Sequence, residues 1–68
     1  MNNYTNSQMR ELIDEHIHSD RDRRLLYRRF VDGIRLEPLS EEFQLSVRQT
    51  KNIVKRGKNT LFDHIDSD

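Results

Sequence analysis

The sequence predicts an all-α fold of four helices, and three observations carry that expectation. Apolar residues recur at helical spacing in four segments. Capping or stop residues separate those segments. No stretch alternates with the two-residue period of a strand for more than three residues.

The first helix follows a polar leader, residues 1–6, whose only large apolar group is Tyr4. Ser7 is the expected N-cap, because its hydroxyl can accept from an early helix N–H. Met9, Leu12, Ile13 and Ile17 then form one face, and the helix is expected to end near His18. Ser19-Asp20-Arg21-Asp22 opens the second helix, with its acids at the positive end of the helix dipole. Leu25, Leu26, Phe30 and Val31 make its buried stripe, while Arg21, Arg24 and Arg28 point outward. Gly33 sits where a left-handed residue ends a helix.

Ile34-Arg35-Leu36 reads as a short extended connector. Pro38 suits the first turn of a brief third helix, about Glu37 to Gln44, that buries Leu39 and Phe43. Leu45 plugs the following turn. Ser46 caps the fourth and longest helix, from Val47 to about Leu61 or beyond. The expected core is Leu12, Ile13, Ile17, Leu25, Leu26, Phe30, Leu36, Leu39, Phe43, Leu45, Thr50, Ile53 and Leu61. Residues 7–62 form a single domain in this reading, and 63–68 a frayed acidic tail.

Composition narrows the function. With 68 residues, 32% of them hydrophobic and 35% charged, the chain has room for one small core. A domain of this size buries only ~60% of its unfolded surface, so a partner or a homodimer would add needed stability. The absence of cysteine excludes disulfides, thiolate metal sites and a cysteine nucleophile. The longest apolar run, Leu25-Leu26-Tyr27, is far short of a membrane span, and Met1 to Ser7 does not resemble a signal peptide. A cytoplasmic protein without membrane contact is expected.

Formal net charge is zero, but its distribution is uneven. Residues 1–42 carry seven bases and nine acids, residues 43–62 five bases and no acid, and residues 63–68 three acids. At physiological salt, charges beyond ~8 Å are largely screened, so a polyanion responds to the local excess rather than to the total.

That excess lies on the fourth helix. At 100° per residue, Thr50, Ile53, Val54, Gly57 and Leu61 fall within a ~100° arc, the width of a core-facing stripe. Arg48, Asn52, Lys55 and Asn59 fall opposite, with Lys51, Arg56 and Lys58 beside them. A basic helix face is most often only a solvated face. Here, however, the short third helix, tight turn and capped fourth helix have the proportions of a helix-turn-helix. Arg pairs bidentately with guanine and Asn with adenine, and residues near the start of such a helix usually reach the bases. Arg48, Gln49 and Asn52 are therefore the expected base readers. Arg35, Lys51, Lys55, Arg56 and Lys58 are the expected phosphate contacts.

Other candidate sites are weaker. His16 and His18 are two apart and so diverge on a helix, whereas helical zinc motifs use a four-residue spacing. His64 stands alone. Glu41 and Glu42 lack a pocket-forming apolar surface, and a chain this small is not expected to hold a cleft of the usual ~300 Å³. With two glycines there is no phosphate-cradling loop. No catalytic residue, metal site or cofactor is expected, and the chain reads as a non-enzyme. Phe62 either folds back onto the core beyond a helix end near Leu61 or, with Ile65, makes an exposed contact and a dimer seam. The first is favoured.

From Arg23 to Leu61 the chain resembles, without a gap, region four of bacterial RNA polymerase sigma factors and the short regulators that share that module. Arg23-Arg24-Leu25-Leu26-Tyr27-Arg28-Arg29-Phe30 matches its charged, Leu-rich opening helix. Gly33-Ile34-Arg35-Leu36-Glu37-Pro38-Leu39-Ser40 corresponds to the family's Gly-hydrophobic-Ser-hydrophobic segment, and Phe43-Gln44-Leu45-Ser46 to its Leu-Gly-Leu-Ser turn. Thr50-Lys51-Asn52-Ile53 falls on the middle of the recognition helix, and Leu61 on its late leucine. Gln44 stands where the family has glycine, and Ser40 and Gly57 where it has alanine.

The resemblance implies a four-helix helix-turn-helix domain that binds double-stranded DNA in the major groove. It implies Arg48 and Asn52 on base-reading positions and Lys51 on a phosphate position. In sigma factors this module reads the promoter's −35 element and touches the polymerase. These residues offer no counterpart of the family's polymerase-docking and −10-reading regions, so a free-standing bacterial or phage regulator is expected. Two alternatives stand beside it. One is an interaction module that engages RNA polymerase or a sigma-associated protein through the Arg-rich second and acidic first helices. The other is a DNA-packaging or recombination accessory protein.

Overall fold

The computed structural model describes residues 5–65, with side chains as far as residue 63. Among these the chain is all-helical, with four α-helices and no strand. In order they are α1 (Asn6–His16), α2 (Asp20–Leu26), which runs on into a π-helical turn (Tyr27–Val31), α3 (Leu36–Glu42) and α4 (Val47–Ile65). Among the described residues no helix is long and apolar enough to cross a membrane.

The start of α1 differs from expectation. Thr5, not Ser7, is the N-cap. Its hydroxyl accepts from the Gln8 amide (3.1 Å), and the Gln8 side-chain oxygen accepts from the Thr5 amide (2.9 Å). This reciprocal box satisfies two otherwise unpaired donors, which a cap at Ser7 could not do with Arg10 as its third residue. The helix ends at His16 rather than near His18, because Ile17 is extended there and turns its side chain into the core.

Ser19 caps α2 as the sequence suggests, accepting from the Asp22 amide at 3.3 Å. The helix then widens by one residue per turn, with the Asp32 amide donating to the Tyr27 carbonyl (3.2 Å). This π turn has no local sequence signal. It places Tyr27 and Phe30 against the α1 cluster while Arg28 reaches the end of α3. Gly33, at φ 72°, then reverses the chain in a conformation that favours glycine.

α3 is shorter than expected, ending at Glu42 instead of Gln44. The Leu45 amide donates to the Ser40 carbonyl (2.9 Å) and the Gln44 amide to the Glu41 carbonyl (3.2 Å). These two bonds make a Schellman ending with Gln44 as its left-handed residue, at φ 57°. A glycine would hold that position at less cost, by about 1 kcal/mol.

Two apolar clusters form the core. Ile13, Ile17, Leu26 and Leu61 make one, and Leu25, Leu39 and Ile53 the other, with Val54 packed against both. Every expected core residue is buried or half-buried. Thr50 is fully buried, its hydroxyl satisfied by the Ser46 carbonyl (3.0 Å). α4 contributes to both clusters and so is held by all the others, with its opposite side left bare.

α4 also continues through Ile65, past the end near Leu61 expected for a folded-back Phe62. Residues 62–65 include no glycine or proline to stop it. Phe62 is consequently 45% exposed instead of packing on the core. The side chain of Ile65 and the tail residues 66–68 lie outside the described part.

Candidate nucleic-acid interface

α4 begins with a second reciprocal box. Ser46 Oγ accepts from the Gln49 amide (3.0 Å), and Gln49 Oε1 accepts from the Ser46 amide (3.0 Å) and hydroxyl (3.2 Å). The box fixes where the helix starts and therefore which residues face outward. It also engages Gln49, whose carbonyl oxygen is committed to the cap and whose amide nitrogen alone remains to donate.

Beyond the cap, Thr50, Ile53, Gly57 and Leu61 turn into the core, and Val54 and Thr60 are half-buried. Arg48, Lys51, Asn52, Lys55, Arg56, Lys58 and Asn59 are all exposed. The continued helix adds one acid, the exposed Asp63, that the sequence reading placed in the tail.

The charges of the two halves are disposed differently. In α2 and the π turn, Arg21 pairs with Asp22 (3.3 Å), Arg23 with Asp20, and Arg28 with Asp32 and Glu42 (each 2.9 Å). Arg28 grips Glu42 through two nitrogens, and hydrogen bonds to Glu42 and then Asp32 raise its pKa above the ordinary arginine value. On α4, by contrast, Arg48, Lys51, Lys55, Arg56 and Lys58 have no ion-pair partner among the described residues. Lys58 lies 5.7 Å from the centre of the Phe62 ring. The acids of the first half are thus partly spent on neighbouring arginines, while the bases of α4 meet no acid among the described residues.

Packing adds residues to each flank of this face. Arg35, exposed at the start of α3, shares a hollow of about 340 Å³ with Arg29, Leu36, Glu37 and Val47. On the other flank Arg21 shares a smaller hollow, about 170 Å³, with Gln49, Asn52 and Arg56. The sequence alone did not place Arg21 and Arg29 beside this face. Both belong to a different helix from the basic face, and only tertiary packing brings them beside it.

A larger concavity lies elsewhere, between α1, α2 with its π turn and the end of α3. At about 760 Å³ it exceeds what was expected of so small a chain. It is open, and each of its three carboxylates already has a partner: Asp14 accepts from the Tyr27 hydroxyl, and Asp32 and Glu42 take Arg28. His16 and His18 line a separate hollow with Asp22 and Arg56. No group of three metal-ligating side chains occurs among the described residues. No family model, curated protein or solved structure matches the chain.

Proposed function

We propose that this protein is a small sequence-specific DNA-binding regulator of transcription that lays α4 in the major groove. The observation that carries this reading is the row of bases on the bare side of α4 with no ion-pair partner among the described residues, whereas Arg21, Arg23 and Arg28 of α2 and its π turn meet acids. A helix of 19 residues is about 28 Å long, and its ~10–12 Å width matches a major groove ~12 Å across.

The end of α3 supports reading α3, the turn and α4 as a helix-turn-helix of the sigma region-four kind. Gln44 adopts the left-handed conformation at the position where that family carries glycine. Arg48 and Asn52 then read base edges. Lys51, Lys55, Arg56 and Lys58 bind phosphates of the groove walls, with Arg35 on one flank and Arg21 on the other. Gln49 contributes its amide nitrogen at most, since its oxygen caps the helix. In this role the protein binds without catalysis. DNA packaging or recombination would use the same interface.

Selection of binding sites from a random duplex library tests the assignment. The protein should enrich one short motif, and Arg48→Ala and Asn52→Ala should each relax preference at one position. An unchanged motif in both variants would show that another surface reads the bases.

A second reading has one observation in its favour. The groove of about 760 Å³ joins the acidic first helix to the Arg-rich second, and Arg10 and Arg24 on its walls have no ion-pair partner among the described residues. An acidic segment of RNA polymerase or an associated protein would fit there. Polymerase binding that survives removal of the α4 charges would favour this reading over DNA recognition.

A further inference from the structure

Two large apolar side chains of the described residues are exposed, and both are on α4: Val47 (44%) at its first position and Phe62 (45%) near its end. Folding gives no reason for Val47. A β-branched residue is a weak helix former, and an apolar side chain half in water contributes little to the core. Val47 belongs to neither apolar cluster. It stands beside Arg48 and one turn before Lys51, over the hollow it shares with Leu36, Arg29, Arg35 and Glu37.

From these facts, and resting on the DNA-reading role of α4 proposed above, we infer that Val47 is a specificity residue that packs against the C5-methyl group of a thymine. Of the groups that bases present in the major groove, the thymine methyl is the one that calls for an apolar partner, and the remainder are hydrogen-bond donors and acceptors. The other side chains on this part of the face, Arg48, Lys51 and Asn52, supply polar contacts only. Ile53 is turned inward, and Val54 packs against the core. Val47 is therefore the one apolar probe in the first two turns of the helix, where a reading helix meets base edges. Arg35 across the hollow would hold the adjacent phosphate and keep the helix start close to the base. Phe62 does not share this role. It lies roughly 22 Å farther along the helix axis, about two-thirds of a DNA turn.

Replacing thymine by uracil removes the methyl group and leaves the hydrogen-bonding edge unchanged. A duplex carrying the motif selected by the protein is synthesised with each thymine replaced in turn. Affinities are measured by fluorescence anisotropy for the protein and for Val47→Ala, with circular dichroism to show that the variant is folded. At one position uracil should weaken the protein about fourfold, the effect of one buried methyl group. Val47→Ala should bind the thymine and uracil duplexes equally there. A Val47→Thr variant, which keeps a methyl group, should retain part of the discrimination. Site-specific binding that no uracil weakens, or that uracil weakens equally in the protein and Val47→Ala, overturns the inference and leaves the DNA-reading role intact. Failure to select any motif overturns both together.

Discussion

Gly57 of α4 and Leu26 of α2 meet so closely that a Cβ on Gly57 would stand 2.5 Å from Leu26 Cδ1, 2.8 Å from Cδ2 and 3.2 Å from Cγ. Leu26 is fully buried in the first apolar cluster and cannot simply swing aside. This contact sets how near α4 approaches the rest of the molecule, and it lies directly behind the basic face.

The first prediction concerns this contact. In a free helix Gly57→Ala would gain ~1 kcal/mol of propensity. Here overpacking against Leu26 costs about 1–3 kcal/mol, and a net loss of stability is expected. Urea denaturation measures it. A more stable variant would show that the two helices do not approach as described.

Gln44→Gly should act in the opposite direction. The left-handed backbone at φ 57° costs a non-glycine residue about 1 kcal/mol, part of which glycine returns through the greater entropy of its unfolded chain. A gain of about 0.5 kcal/mol in thermal or urea denaturation is expected, with DNA affinity unchanged. A loss of stability would mean that the turn has another conformation.

Ser46 separates folding from binding. Ser46→Ala removes the cap of α4 and should cost about 1 kcal/mol. Ser46→Asp keeps a capping oxygen, so stability should stay within about 0.5 kcal/mol of the parent. It also sets a carboxylate close to Arg48 at the start of α4, and DNA affinity should fall. If Ser46→Asp binds DNA as well as the parent does, the start of α4 is not against the duplex.

Much of the architecture was legible because it depends on local patterns. Ser19, Gly33 and Ser46 marked helix ends through cap and stop chemistry, and helical spacing assigned the buried stripe of α4, including the polar Thr50. Thr5 with Gln8 at its third helical position is also a local signal, and its reciprocal bonds outcompete a cap at Ser7. The π turn, by contrast, arises among residues that all accept an ordinary helix. The grip of Arg28 on Glu42 spans 14 positions. Gln44 keeps its place because the Schellman bonds outweigh the backbone cost, a balance that residue preference alone does not reveal.

The candidate site was legible to a similar depth. Periodicity identified which residues of α4 are outward, and all of them are exposed. What it could not supply were interactions between elements. Arg21 and Arg29 come beside the basic face by packing, and the commitment of the Gln49 oxygen to Ser46 becomes apparent only from the geometry.

The central claim, that the bases of α4 lie on DNA, is tested most directly by the salt dependence of duplex affinity. It should be measured for the protein and for Lys51→Ala/Lys55→Ala. With about six phosphates neutralised, the log–log slope should be near −5, and two fewer charges should flatten it by about two units. No binding at low salt, or the same slope in the double variant, would contradict the account.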